Sequence, residues 1–110
     1  MKIYQSLPLV MALITPSGPA YSASAEDIDK LTTYATMLGR GIACRAGAER
    51  PSHRIGAWMD EHFPPGSTDQ RIYLPIFIVG TRNAAQQQHD GRSPDSCRDV
   101  LRVFYSFPWP

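Results

Sequence analysis

The chain has 110 residues, enough for one small domain, with 43% apolar residues and a formal charge of +1. That apolar fraction argues against a disordered tail. The near-neutral charge argues against a nucleic-acid binder, which needs a basic footprint, and against a polybasic membrane-surface protein.

Met1-Lys2 is a short positive start, followed by a largely apolar run from Ile3 to Ile14. Thr15-Pro16-Ser17-Gly18-Pro19 breaks the run, and Ala23-Ser24-Ala25 offers small residues at an A-x-A cleavage site. This is the pattern of a secretory signal peptide over residues 1–25, leaving 26–110 as a single mature domain. The run is too short, and Pro8 too disruptive, for the ~20 apolar residues of a bilayer crossing. The mature chain is therefore expected to carry no membrane span. Export to the periplasm or beyond changes the meaning of Cys44 and Cys97, the only two cysteines. In an oxidising compartment they are expected to form a disulfide. No C-x-x-C motif is present, so a redox-active dithiol is not expected.

Four helices are predicted in chain order. From Asp27 to Ala46, Ile28, Leu31, Ala35, Leu38 and Ile42 recur at spacings of three and four, with Gly47 as the residue that ends the helix. Gly41 falls on the Tyr34 and Leu38 side, where a close neighbour would account for it. From Pro51 to Phe63, Ile55, Trp58, Met59, His62 and Phe63 make one apolar stripe, opened by Pro51 in the first turn and stopped by Pro64-Pro65-Gly66. Ser67-Thr68-Asp69-Gln70 is a capping box. Ile72 to Val79 then reads as β-like in composition. The capping box before it and the helix formers Ala84 to Gln88 after it favour one long helix through Pro75, ending at Gly91. An apolar surface nearly all round makes Ile72 to Val79 the expected buried centre of the domain. The last helix is predicted to start with Ser93 as cap, Pro94 and Asp95 in its first turn, and Cys97, Val100, Leu101 and Phe104 on its inner face.

Short connections favour antiparallel neighbours. An up-down-up-down arrangement brings the end of the first helix and the start of the fourth to the same end of the bundle, so Cys44 and Cys97 meet. The fold expected is a small all-α four-helix up-down bundle stapled by a Cys44–Cys97 disulfide.

No catalytic, cofactor-binding or metal motif stands out. His53, His62 and His89 are not spaced as zinc ligands. Asp60, Glu61 and His62 are consecutive and cannot face one another on a helix. Ser93, Asp95 and Ser96 read as capping groups, and no G-x-S-x-G elbow exists. The tail Phe104 to Pro110 is rich in aromatics and proline. It either folds back to cap the core or stands out as a PPII-like segment offered to a partner. On the second reading the partner-binding residues are Trp58, Met59, Phe107 and Trp109. The plan of leader, short helical body and one disulfide resembles that of the small acid-stress chaperones of the Gram-negative periplasm. With no catalytic or cofactor motif in the chain, the function expected is non-enzymatic protein binding without a cofactor, and the resemblance implies a chaperone-like version of it acting on another envelope or secreted protein. An inhibitor or immunity protein against a toxic enzyme, and a small helical hydrolase or ligand carrier, are the alternatives.

Overall fold

A computed structural model describes residues 23–110. Among these it contains four α-helices: α1 (Ala25–Ala43), α2 (Glu49–His62), α3 (Thr68–His89) and α4 (Cys97–Ser106). The apolar run Ile3 to Ile14, on which the expected signal peptide rests, lies outside the described residues.

Each helix starts and stops for a local reason. Ser24 caps α1, its hydroxyl accepting from the Asp27 amide at 3.0 Å. Glu26 and Asp27 occupy the first turn, where the helix dipole favours them. A cut after Ala25 would remove that hydroxyl and set a charged amino group at the positive end of the helix. The helix closes earlier than the glycine pattern suggests. Arg45, not Gly47, takes the left-handed conformation at φ 65°. The Ala46 amide donates back to the Gly41 carbonyl and that of Arg45 to Ile42, which is a Schellman closure. α2 has no side-chain cap and carries Pro51 as its third residue, where no intrahelical amide is missed. Ser67 caps α3 by accepting from the Gln70 amide at 3.1 Å, and Gln70 Oε1 accepts from the Gly66 amide. The helix then runs unbroken through Pro75. That residue is exposed, so the Arg71 carbonyl it leaves without a partner can be met by water. Gly91, at φ 76°, closes α3.

α4 starts three residues later than its sequence suggests. Its cap is Ser96, whose hydroxyl accepts from the Asp99 amide at 3.3 Å. Ser93, Pro94 and Asp95 belong to the connection instead. Asp95 is held there by Arg40 at 3.4 Å and by the Gln88 side-chain amide, which donates to its carbonyl. The later start makes Cys97 the first residue of the helix, beside Cys44. The Cys44–Cys97 disulfide is present, with Cα atoms 5.3 Å apart across a sequence separation of 53. In the chain-entropy picture, closing a loop of that size stabilises the fold by ~4 kcal/mol.

The four helices alternate in direction, with α1 at the centre. Tyr34 meets Trp58 while Asp27 meets His62, so α2 runs against α1. Ala35 faces Gly80 and Gly39 faces Ala84, so α3 runs with α1. Gly41 faces Phe104 and Cys44 joins Cys97, so α4 runs against it. The core, built of Leu31, Tyr34, Leu38, Ile55, Trp58, Met59, Phe63 and Phe104, lies between α1, α2 and α4. Tyr73 and Phe77 are its only large contributions from α3.

Two glycines set how close the neighbours come. A Cβ on Gly39 would collide with the Thr81 carbonyl and the Ala84 methyl of α3. A Cβ on Gly41 would enter the Phe104 ring. In the exposed interior of α2, a Cβ on Gly56 would meet nothing within 4 Å. Gly39→Ala is therefore expected to destabilise the fold by about 1–3 kcal/mol through overpacking, despite the better helix propensity of alanine. Gly56→Ala is expected to gain about 0.5–1 kcal/mol. Urea unfolding followed by circular dichroism measures both, and a stabilising Gly39→Ala would refute the close α1–α3 contact.

Candidate functional site: an apolar face on α3

The four aromatic and sulfur side chains picked out by sequence as partner-binding belong to the core and its lid. Trp58 is 8% exposed and Met59 4%. Phe107 and Trp109 are half-buried and pack on the core. The tail folds back. The Trp109 indole donates to the Phe104 carbonyl at 3.2 Å, and its ring lies 5.0 Å from Phe104 and 4.6 Å from Phe107. Arg54 of α2 fastens the tail, its Nε donating to the Pro110 carbonyl at 2.6 Å. Tyr34, edge-on to Trp58 and Phe107, joins the tail to the helices. The reason is geometric: the stripe of α2 and the end of α4 both face α1, which has room for them once Gly41 admits Phe104.

The surface that is open lies where sequence reading put the centre of the domain. Ile72 is 49% exposed, Ile76 51% and Val79 50%, and Leu74 and Ile78 are exposed as well. Tyr73, Phe77, Gly80, Ala84 and Gln88, spaced by three and four, form the one stripe of α3 that turns toward α1. Ile72, Leu74, Pro75, Ile76 and Ile78 on the first three turns of α3 face outward. α2 and α4 pack on other sides of α1, and among the described residues no element is left to cover α3. The expectation that Ile72 to Val79 is buried is therefore corrected. An octet that is apolar all round shows only that it can be buried, not that a neighbour exists to bury it.

The face has relief. On one flank, Pro75, Ile76, Val79, Gly80 and Asn83 line a depression of about 420 Å³. On the other, Ile42 of α1 with Phe77, Ile78, Thr81, Arg82 and Ala85 lines one of about 340 Å³. Ile42 is itself 47% exposed, so the face is continuous across the α1–α3 seam. Together these apolar side chains leave on the order of 500 Å² uncovered, near the top of the ~300–600 Å² of the largest patch on a typical monomer.

Other clusters are less suggestive of chemistry. A cleft of about 690 Å³ opens between the first turns of α1 and the tail, lined by Glu26, Asp29, Lys30, Thr33, Tyr34, Phe107 and Pro108. Its Lys30 pairs with its own Glu26 at 3.4 Å. His62 Nδ1 lies 3.2 Å from Asp27 and its ring stacks on Trp58, while Asp60 accepts from Gln70. Among the described residues no three histidine, cysteine or carboxylate groups cluster as metal ligands, and no helix is long and apolar enough to cross a membrane. Comparison with family models, curated proteins and solved structures finds no match to this chain.

One carboxylate has its ionisation shifted by its surroundings. At the C-terminus of α3, Asp90 accepts from the Gln86 amide at 2.9 Å, from Arg92 at 3.0 Å and from His89 at 3.4 Å. The Gln86 bond first, then Arg92 and His89, hold its pKa below the ordinary carboxylate range. A folded-state pKa that is depressed stabilises the fold above the unfolded value and loses that contribution as pH falls through the folded one. Carboxyl-detected NMR titration is expected to show Asp90 titrating below the ordinary aspartate range, with Gln86→Ala moving it upward. An unmoved midpoint in that variant would contradict the assignment.

Proposed function

We propose that this chain is an exported, non-enzymatic protein-binding factor, accessory or chaperone-like, whose working surface is the apolar face of α3. The observation that carries the reading is the placement of Ile72, Leu74, Ile76, Ile78 and Val79 in solvent on a helix that is otherwise well formed. Contiguous apolar faces of this size on a monomer are often functional surfaces. The core does not need these side chains, because the aromatic cluster and the disulfide already close the other side of α1. The disulfide supports an oxidising compartment such as the periplasm. The shape of the face, shallow and without converging polar groups, suits another protein's apolar segment better than a small substrate.

The test is suppression of aggregation. Reduced insulin, whose B chain aggregates in solution, is followed by light scattering with and without the purified mature protein. Wild type is expected to slow the aggregation at near-stoichiometric ratios. Ile76→Asp and Val79→Asp should abolish the effect while leaving the circular dichroism spectrum unchanged, since neither side chain touches the core. No suppression by wild type, or equal suppression by the two variants, would remove this reading.

A further inference from the structure

The occupant of the α3 face can be specified further from the charges around it, resting on the reading of that face as a binding surface. Arg71, Pro75 and Arg82 share the outward stripe of α3 at spacings of four and seven. Leu74 and Ile78 flank this stripe on one side, and Ile72, Ile76 and Val79 on the other. The two arginines thus close the apolar patch at its ends, ~16 Å apart along the helix axis. Both are exposed. The ion pairs among the described residues engage Lys30, Arg40, Arg92, Arg102, His62 and His89, and neither Arg71 nor Arg82. The Arg71 guanidinium donates only to the Gly66 carbonyl at 3.1 Å and the Thr68 hydroxyl at 3.4 Å, neither of them charged. The nearest α3 carboxylate in sequence, Asp69, precedes Arg71 by two residues and so projects from the opposite side of the helix.

We infer that the α3 face receives an amphipathic helical segment of another protein whose apolar stripe is bracketed by carboxylates. The apolar ridges and the depressions beside Ile76 and Ile78 suit the side chains of a single crossing helix, laid along α3. A carboxylate at each end would meet an arginine that has no other acidic partner, fixing the register and rejecting basic segments. A second copy of this chain fits the face poorly. Two α3 helices paired antiparallel about the middle of the patch would set Arg71 of one level with Arg82 of the other. Paired parallel, they would set each arginine beside its own copy. Either way like charges close both ends of the interface.

The test uses two synthetic amphipathic peptides with one leucine stripe, carrying either glutamates or lysines at both ends of the stripe, at the spacing of Arg71 and Arg82. Binding to the oxidised mature protein is measured by fluorescence anisotropy at low salt. The glutamate peptide is expected to bind at least about tenfold more tightly than the lysine peptide. The double variant Arg71→Glu/Arg82→Glu should reverse the order, Arg71→Gln/Arg82→Gln should erase it, and Ile76→Asp should weaken both peptides. All three positions are exposed, and retention of the fold is checked by circular dichroism. Equal affinities, failure of both peptides to bind, or a preference that survives Arg71→Glu/Arg82→Glu would overturn the inference. So would a wild-type dimer in analytical ultracentrifugation that Ile76→Asp dissociates, or tighter binding to phosphatidylglycerol vesicles than to the glutamate peptide. If insulin aggregation is suppressed and the peptides are bound without regard to charge, this inference fails and the binding reading stands. If Ile76→Asp leaves the suppression intact, the binding reading itself fails.

Discussion

The contact on which the rest of the structure depends is the approach of α3 to α1 at Gly39. The backbone of α1 lies so near the Thr81 carbonyl and the Ala84 methyl that no side chain fits between them. A seam built from Ala35, Gly39, Gly80 and Ala84 needs no large residues, so it consumes little apolar surface per turn. The bulky aliphatic side chains of α3 are thereby left over, while Tyr73 and Phe77 still reach the core. On the far side of α1, Gly41 does the reverse: it makes room for Phe104, and through Phe104 for Trp109 and the folded tail. One helix thus sorts its neighbours. Aromatic bulk gathers with α2 and α4, and aliphatic bulk stays in solvent on α3.

The disulfide and the caps hold this sorting in place. Cys44 lies directly after α1 and Cys97 opens α4, so the bond fixes the end of the bundle where Gly41 meets Phe104. Gln88 and Arg40 tie the intervening connection to α3 and α1 through Asp95. The left-handed Arg45 carries a conformational cost of about 1–2 kcal/mol for a residue other than glycine. Its Schellman hydrogen bonds offset part of that cost and turn the chain toward α2 directly behind Cys44.

Much of the fold was legible because the relevant signals are local. Periodicity at three and four residues, the Ser67 box, Pro51 in a first turn and Gly91 at a stop each act within a few residues of themselves. The cysteine pairing followed from there being only two cysteines and an expected oxidising compartment, and helix count and direction agreed with it. The start of α4 was harder to read. Ser93 and Ser96 are both followed by an aspartate within three residues, and the choice between them is made by remote partners, Cys44 and Arg40. The burial of Trp58 and Met59 and the exposure of the α3 octet were hard to read for a related reason. Trp58, Met59, Phe107 and Trp109 are the types that dominate binding surfaces, yet they are equally the types that fill a core. Ile72 to Val79 is hydrophobic enough to be a core, yet no described element covers it. Hydrophobicity states how much a side chain gains from a neighbour. Which side chains find one depends on how many elements the chain has and where two glycines let them approach.

NMR of isoleucine δ1-methyl groups reads directly which isoleucines meet a partner. The core residue Ile55 is 1% exposed, whereas Ile42, Ile72, Ile76 and Ile78 lie on the α3 face. On addition of the acidic amphipathic peptide, the resonances of Ile42, Ile72, Ile76 and Ile78 are expected to shift or broaden while Ile55 stays in place. Perturbation concentrated elsewhere, with those four methyls unmoved, would contradict the assignment of this face as the working surface.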